Sequence, residues 1–182
     1  MVGAYTIYAN RGVYSEPMFV TRIEDRQGNL LAEFSVRTAD AISEHTAYTM
    51  VQMMQNVVNK GTAGRLRWMY DVKGEVAGQT GTSQNGSDAW FMGVTPRLVA
   101  GAWVGAEDLS VRLTSKGEGA TMALPIFAKF LKKVHADKSL DVTESDLFSV
   151  PIGAKKFDCD LESFGTQSET ETEISNEEEF FD

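Results

Sequence analysis

Between residues 76 and 105 three strand-like runs follow one another with only short connections, and nothing else in the chain constrains its fold as tightly. Val76 to Thr82 is interrupted by Gly78 and Gly81, while Ala89 to Thr95 and Leu98 to Gly105 are joined through Pro96-Arg97. Connections this short join antiparallel neighbours, because a parallel crossover needs a dozen or more residues. The spacing therefore predicts a hairpin over the last two runs, preceded by a short strand broken by glycines, and the flanking segments predict helices. Ala47, Met50, Val51, Met54, Val57 and Val58 recur at helical spacing, so residues 43–59 are expected to be a helix. Ser43 is its N-cap and Gly61 lies just past its end. Ala123, Leu124, Ile126, Phe127, Phe130, Leu131 and Val134 predict a second helix over 123–135, with Pro125 confined to its first turn. Upstream, residues 3–10 read as a helix end closed by Asn10-Arg11-Gly12, with Gly12 as the C′ residue. Phe19 to Asp25 and Leu30 to Val36 read as a hairpin around Arg26-Gln27-Gly28-Asn29. The expected class is α+β.

Charge divides the chain in two. The formal net charge is −9, yet residues 157–182 contain ten acids and no Lys or Arg, leaving seventeen basic residues against sixteen acids in the body. Neither part has the basic patch that nucleic-acid binding requires. The Ser/Thr/Glu-rich composition of 157–182 is that of a disordered tail, so residues 1–156 are expected to form the domain. A single cysteine, Cys159, excludes an intrachain disulfide, and no cofactor or Cys-based metal site is expected. No apolar run approaches the length of a membrane span, and Met1 leads into Val-Gly-Ala-Tyr without a targeting signal.

Among candidate sites, a phosphate-binding loop fails on spacing: with Gly81 as its second glycine, the first would fall on Val76 and the lysine on Thr82. His45 and His135 are well separated and carry no recognisable pattern, and Glu107-Asp108 follows a strand end where a loop is expected. Residues 78–83 remain. Gly78 and Gly81 leave little bulk on the strand, so another backbone can approach closely. Alternation places the hydroxyls of Thr80 and Thr82 on one face. Such an edge suits a peptide bound as an added strand, its carboxylate held by the hydroxyls. A Gly/Thr-rich edge strand without function satisfies the same spacing.

The wider context goes further. The stretch GQTGTSQNGSDAWFMGVTPRLVAGAWVGAEDLS resembles the Lys-Thr-Gly-Thr strand and following Asp-x-Trp-Phe hairpin of class A penicillin-binding proteins. These are bifunctional glycosyltransferase/transpeptidases that build bacterial peptidoglycan. AYTIYANRGVYSEPMFVTRIEDRQGNLL, GTAGRLR and GATMALPIFAKFLKKV are similar to neighbouring segments of the same family, so the resemblance covers about residues 3–138. It implies the C-terminal part of a serine transpeptidase domain, an α+β fold whose last three antiparallel strands are packed by helices 43–59 and 123–135, with a separate small hairpin at 19–36. In that family a Ser-x-x-Lys serine attacks a stem-peptide carbonyl, a Ser-x-Asn motif helps move protons, and Lys-Thr-Gly lies on the strand that walls the cleft.

No serine here is followed three positions on by lysine. Ser83-Gln84-Asn85 fits Ser-x-Asn formally, but it overlaps the third motif, which the family's second motif precedes by a long stretch. The third motif also departs from pattern, since Gln79 occupies the lysine position. The resemblance implies Gln79, Thr80, Gly81 and Thr82 as substrate-binding residues and the backbone N–H of Thr82 as an oxyanion donor. It further implies stem peptides and beta-lactams as ligands, a membrane-anchored parent, and a location on the outer side of the bacterial inner membrane. Without the nucleophile the chain is expected to be inactive alone. The alternative is a non-catalytic binding or structural protein of the same fold, for which Gln79 speaks. A weaker third is a tail-driven interaction module.

Overall fold

The computed structural model describes residues 1–108, 110–113 and 117–155, with Asn85 described by its backbone alone. The tail from residue 157, and Cys159 with it, lies outside the described residues. The central sheet has the expected composition and order: β5 (Ala77–Thr82), β6 (Asp88–Val94) and β7 (Val99–Gly105), antiparallel, with β6 in the middle. Its register pairs Thr80 with Phe91 and Thr82 with Ala89 on one side, and Phe91 with Ala102 on the other. Directly opposed residues share a face, so Thr80, Thr82, Phe91 and Ala102 lie on one face while Ala77, Gln79, Met92 and Val94 lie on the other.

Both faces are covered. On the Phe91 face, α4 (Leu124–Ala136) seats Phe127 against Phe91, ring centroids 5.0 Å apart, and adds Leu124, Ala128 and Leu131 to one buried cluster. Gly93 makes this possible: a Cβ there would stand within 2.8 Å of three carbons of the Phe127 ring. On the opposite face, Ala77 and Val94 meet Tyr5 and Tyr8 of α1 (Val2–Ala9). α2 (Glu44–Asn59) feeds both clusters, Val58 into the first and Val51 and Met54 into the second. Ser43 caps it as expected, its hydroxyl accepting the N–H of Thr46 at 3.1 Å.

The apolar periodicity of residues 123–135 merges two stripes. Leu124, Phe127, Ala128, Leu131 and Val134 are buried, whereas Ile126 and Phe130 are half-exposed. A π-helical turn, Gly119–Ala123, precedes α4. The predicted hairpin exists but is shorter: β2 (Arg22–Glu24) pairs with β3 (Leu30–Glu33), turned at Gly28 with φ +84. Asp25 organises that turn by accepting the N–H groups of Gln27 and Asn29. Sequence periodicity missed a second short pair, β1 (Val13–Ser15) with β4 (Thr38–Asp40), and a single turn α3 (Arg65–Trp68). α1 is capped at Asn10, so Arg11 takes the C′ position expected of Gly12, and both residues are left-handed. Gly12 is the obligatory one, because a Cβ there would press on the Ile42 carbonyl.

Beyond α4, residues 137–155 run as a strap across the far end of the sheet. Arg97, in the β6–β7 turn, pairs with Asp141 and Asp146. His135 approaches Glu144 at 3.6 Å. The N–H of Phe148 donates to Glu75 at 2.6 Å, its ring enters the Ala77 cluster, and Gln52 of α2 donates to the Lys155 carbonyl. The Thr143 N–H holds the Asp146 carboxyl below its ordinary value, with smaller help from Arg97 and His135. A lowered carboxyl contributes above its unfolded pKa of 3.8, and that contribution is lost as pH falls through the lower folded value. Hydrogen exchange at residues 143–148, corrected for intrinsic pH dependence, should therefore rise on acidification below about pH 4. Asp146→Asn should remove that rise. An unchanged profile in the variant would assign it to another group.

Candidate functional site

β5 is an outer strand, and its unpaired side forms the site. The Ser83 N–H donates to the Asp88 carbonyl at 3.2 Å, so Ser83 points its backbone toward β6. Strand alternation then turns the N–H groups of Thr82 and Thr80 toward the outer side, which is open at that end, whereas Gly78 is buried at the end where α2 packs against β5. The expected oxyanion donor, the Thr82 N–H, thus faces outward. The same edge presents Thr80 and Thr82 on one face, with Thr82 exposed and Thr80 half-buried. Gln79 is exposed on the opposite face of that edge. A ligand paired in the plane of the sheet would meet side chains of both faces along its rim.

The two hydroxyls are held from behind. Thr80 Oγ1 lies 2.9 Å from Thr62 Oγ1, on the loop between α2 and α3. Thr82 Oγ1 accepts the N–H of Gly119 at 3.2 Å. Gly119 approaches the strand so closely that a Cβ there would come within 3.0 Å of the Gly81 N and O. The close backbone approach expected at the glycines therefore occurs, but at Gly81 it comes from within the chain. Gly78 is likewise used internally: the space of its missing side chain is filled by the Phe91 ring. Periodicity could not find Thr62 or Gly119, 18 and 37 residues from their partners. The only sequence signal was that both lie in segments resembling the family.

Other candidates resolve as structure. Ser83 closes the β5–β6 turn, its Oγ accepting the Asp88 N–H at 2.9 Å and meeting Ser87 Oγ at 2.8 Å. That agrees with reading Ser83-Gln84-Asn85 as a chance match. His45 stands at the start of α2 and His135 at the end of α4, neither at β5. Asp108 lies in the loop after β7 and accepts the Ser110 N–H. Trp90 and Trp103 pack on each other across β6 and β7, centroids 6.3 Å apart. Among the described residues no group of three His, Cys, Asp or Glu is placed to hold a metal ion. Nor is any helix of the described residues long and apolar enough to cross a membrane.

An outer strand with hydroxyls and outward N–H groups suits a ligand added along the sheet edge with its carboxylate at the hydroxyls. Comparison with known proteins gives the same family. Residues 1–132 match the penicillin binding protein transpeptidase domain. Penicillin-binding protein 1A of Aquifex aeolicus is 34% identical over 74% of this chain, and that of Rickettsia prowazekii 30% identical over 76%. The solved penicillin-binding protein 1A of Haemophilus influenzae superposes with a TM-score of 0.73, covering 82% of this chain at 21% identity. That likeness establishes the fold. The chain spans only 18% and 20% of the two curated relatives, and 27% of the solved one. The open Gly/Thr strand and its hairpin thus stand where sequence and fold agree, and the chain belongs to the penicillin-binding protein transpeptidase family.

Proposed function

We propose that residues 1–156 are the C-terminal part of a peptidoglycan D,D-transpeptidase, which cross-links stem peptides by serine acyl transfer and is acylated by beta-lactams. The observation that carries this reading is the outer edge of β5, where Thr80 and Thr82 share a face and the Thr82 N–H points outward. A stem peptide or penicillin lies along this edge with its carboxylate between the two hydroxyls. Its reacting carbonyl meets the Thr82 N–H as one oxyanion donor, the second being the backbone N–H of a serine supplied by the preceding part of the domain. Gln79 faces the same ligand as an uncharged donor. The complete protein is membrane-anchored and works at the outer face of the bacterial inner membrane.

Residues 1–182 alone contain no Ser-x-x-Lys and should not be labelled by a fluorescent penicillin, whereas the complete domain should be. A boiling-resistant label on the isolated chain would overturn the assignment of roles. A second reading has one specific observation behind it: Gln79 in the lysine position fits a protein of this fold that binds without catalysing. The reading frame preceding Met1 separates the two, since a Ser-x-x-Lys there favours the enzyme and its absence favours the binding protein.

A further inference from the structure

A threonine hydroxyl is both donor and acceptor, and an unconstrained pair of them would suit a neutral ligand as well as an anion. In this fold each hydroxyl of β5 has a partner on the protein side. Thr82 Oγ1 receives the Gly119 N–H, which leaves its own proton to be given away. Thr80 Oγ1 has Thr62 Oγ1 at 2.9 Å, and either oxygen can donate across that contact.

Thr62 is itself well placed to stay there. Its neighbours are pinned to the end of α2, Gly61 N–H and Ala63 N–H both donating to the Val57 carbonyl at 3.1 Å. Ala63 is fully buried, while Thr62 is exposed.

We infer that Thr62 is a positioning residue that makes this edge selective for a carboxylate. With an anion on β5, Thr62 donates to Thr80 and Thr80 donates to the ligand, as Gly119 primes Thr82 to do. Both strand hydroxyls then present protons outward, and the donor chain polarises the Thr80 O–H further. A ligand whose carboxylate is esterified offers a weaker acceptor, and the primed protons gain less from it. The inference rests on reading β5 as the substrate strand.

The test uses the complete transpeptidase domain that contains this chain and compares acylation by benzylpenicillin with acylation by its methyl ester. Thr62→Val keeps the β-branched shape and removes the donor. It should lower the rate with the free acid about tenfold and the rate with the ester by less than about twofold. Thr62→Ser should restore the acid-to-ester ratio. Because the ratio is taken within one protein, it does not depend on the fraction folded. Equal losses on both substrates, or an unchanged ratio, would overturn the inference by leaving Thr62 a merely structural role. Thr80→Val and Thr82→Val serve as separate arms. If neither alters the acid rate, β5 is not the substrate edge and the proposed function falls together with this inference. If both lower it while Thr62→Val leaves the ratio intact, only the inference about Thr62 falls.

Discussion

Gln79→Lys, introduced into the complete domain, should raise the second-order rate of acylation by penicillin about tenfold, the effect of roughly 1.4 kcal/mol. Gln79 is exposed on the open edge, one residue from Thr80 and on the opposite face. A lysine there has room to extend along the ligand. Its ammonium would replace a neutral donor by a charged one beside the carboxylate, and charge-assisted hydrogen bonds are roughly twice as strong as neutral ones. Thr82→Val should move the rate the other way by a similar factor, because it deletes a donor hydroxyl while keeping the backbone N–H and the side-chain shape. Raising the salt concentration should shrink the lysine effect and leave the valine effect nearly unchanged. A Gln79→Lys domain no faster than its parent would show that the site works with an uncharged donor and would remove the electrostatic argument.

Gly93→Ala should lower the stability of the folded chain by about 3 kcal/mol, at the upper end of what one added methyl costs in a packed core. Gly93 is buried in the central strand, and its missing Cβ leaves the space into which the Phe127 ring is set. Neither neighbour can yield easily. β6 is paired on both sides, and Phe127 is locked against Phe91. The denaturant midpoint should fall with an unchanged slope. Pairing the substitution with Phe127→Leu should recover part of the loss, because the smaller side chain vacates the contested space. Gly28→Ala provides the contrast: its Cβ meets nothing within 4 Å, and only its φ of +84 opposes alanine. That cost should stay near 1 kcal/mol. Equal losses at the two glycines would mean that steric conflict with Phe127 is not what fixes Gly93.

These two sites also mark what could be read from the sequence. Signals carried by one segment were legible: the Ser43 cap, the Gly28 turn, the Pro96-Arg97 connection and the alternation that puts Thr80 beside Thr82. Each depends on residues a few positions apart, so local geometry alone decides it. The β1–β4 pair was not legible, because three-residue strands show no period and Ser15 meets Thr38 across a long intervening segment. Ile126 and Phe130 fit a helical stripe as well as their buried neighbours do. Which stripe turns inward depends on where the sheet lies, which periodicity does not say. The site divided in the same way. Its strand was visible, while the groups that orient its hydroxyls, Thr62 and Gly119, come from loops whose approach only the assembled fold determines.

The strap has a practical side as a point of attachment. It brings the Lys155 carbonyl to Gln52 of α2, having buried Phe148 next to Ala77, the first residue of β5. Thr82 lies at the other end of that strand, about 17 Å away at the usual rise per residue. A surface linker or dye coupled at Lys155 would hold the molecule by the end of β5 opposite Thr82. Immobilised in that orientation, the chain would offer Thr80 and Thr82 to solution with the anchor away from that end of β5.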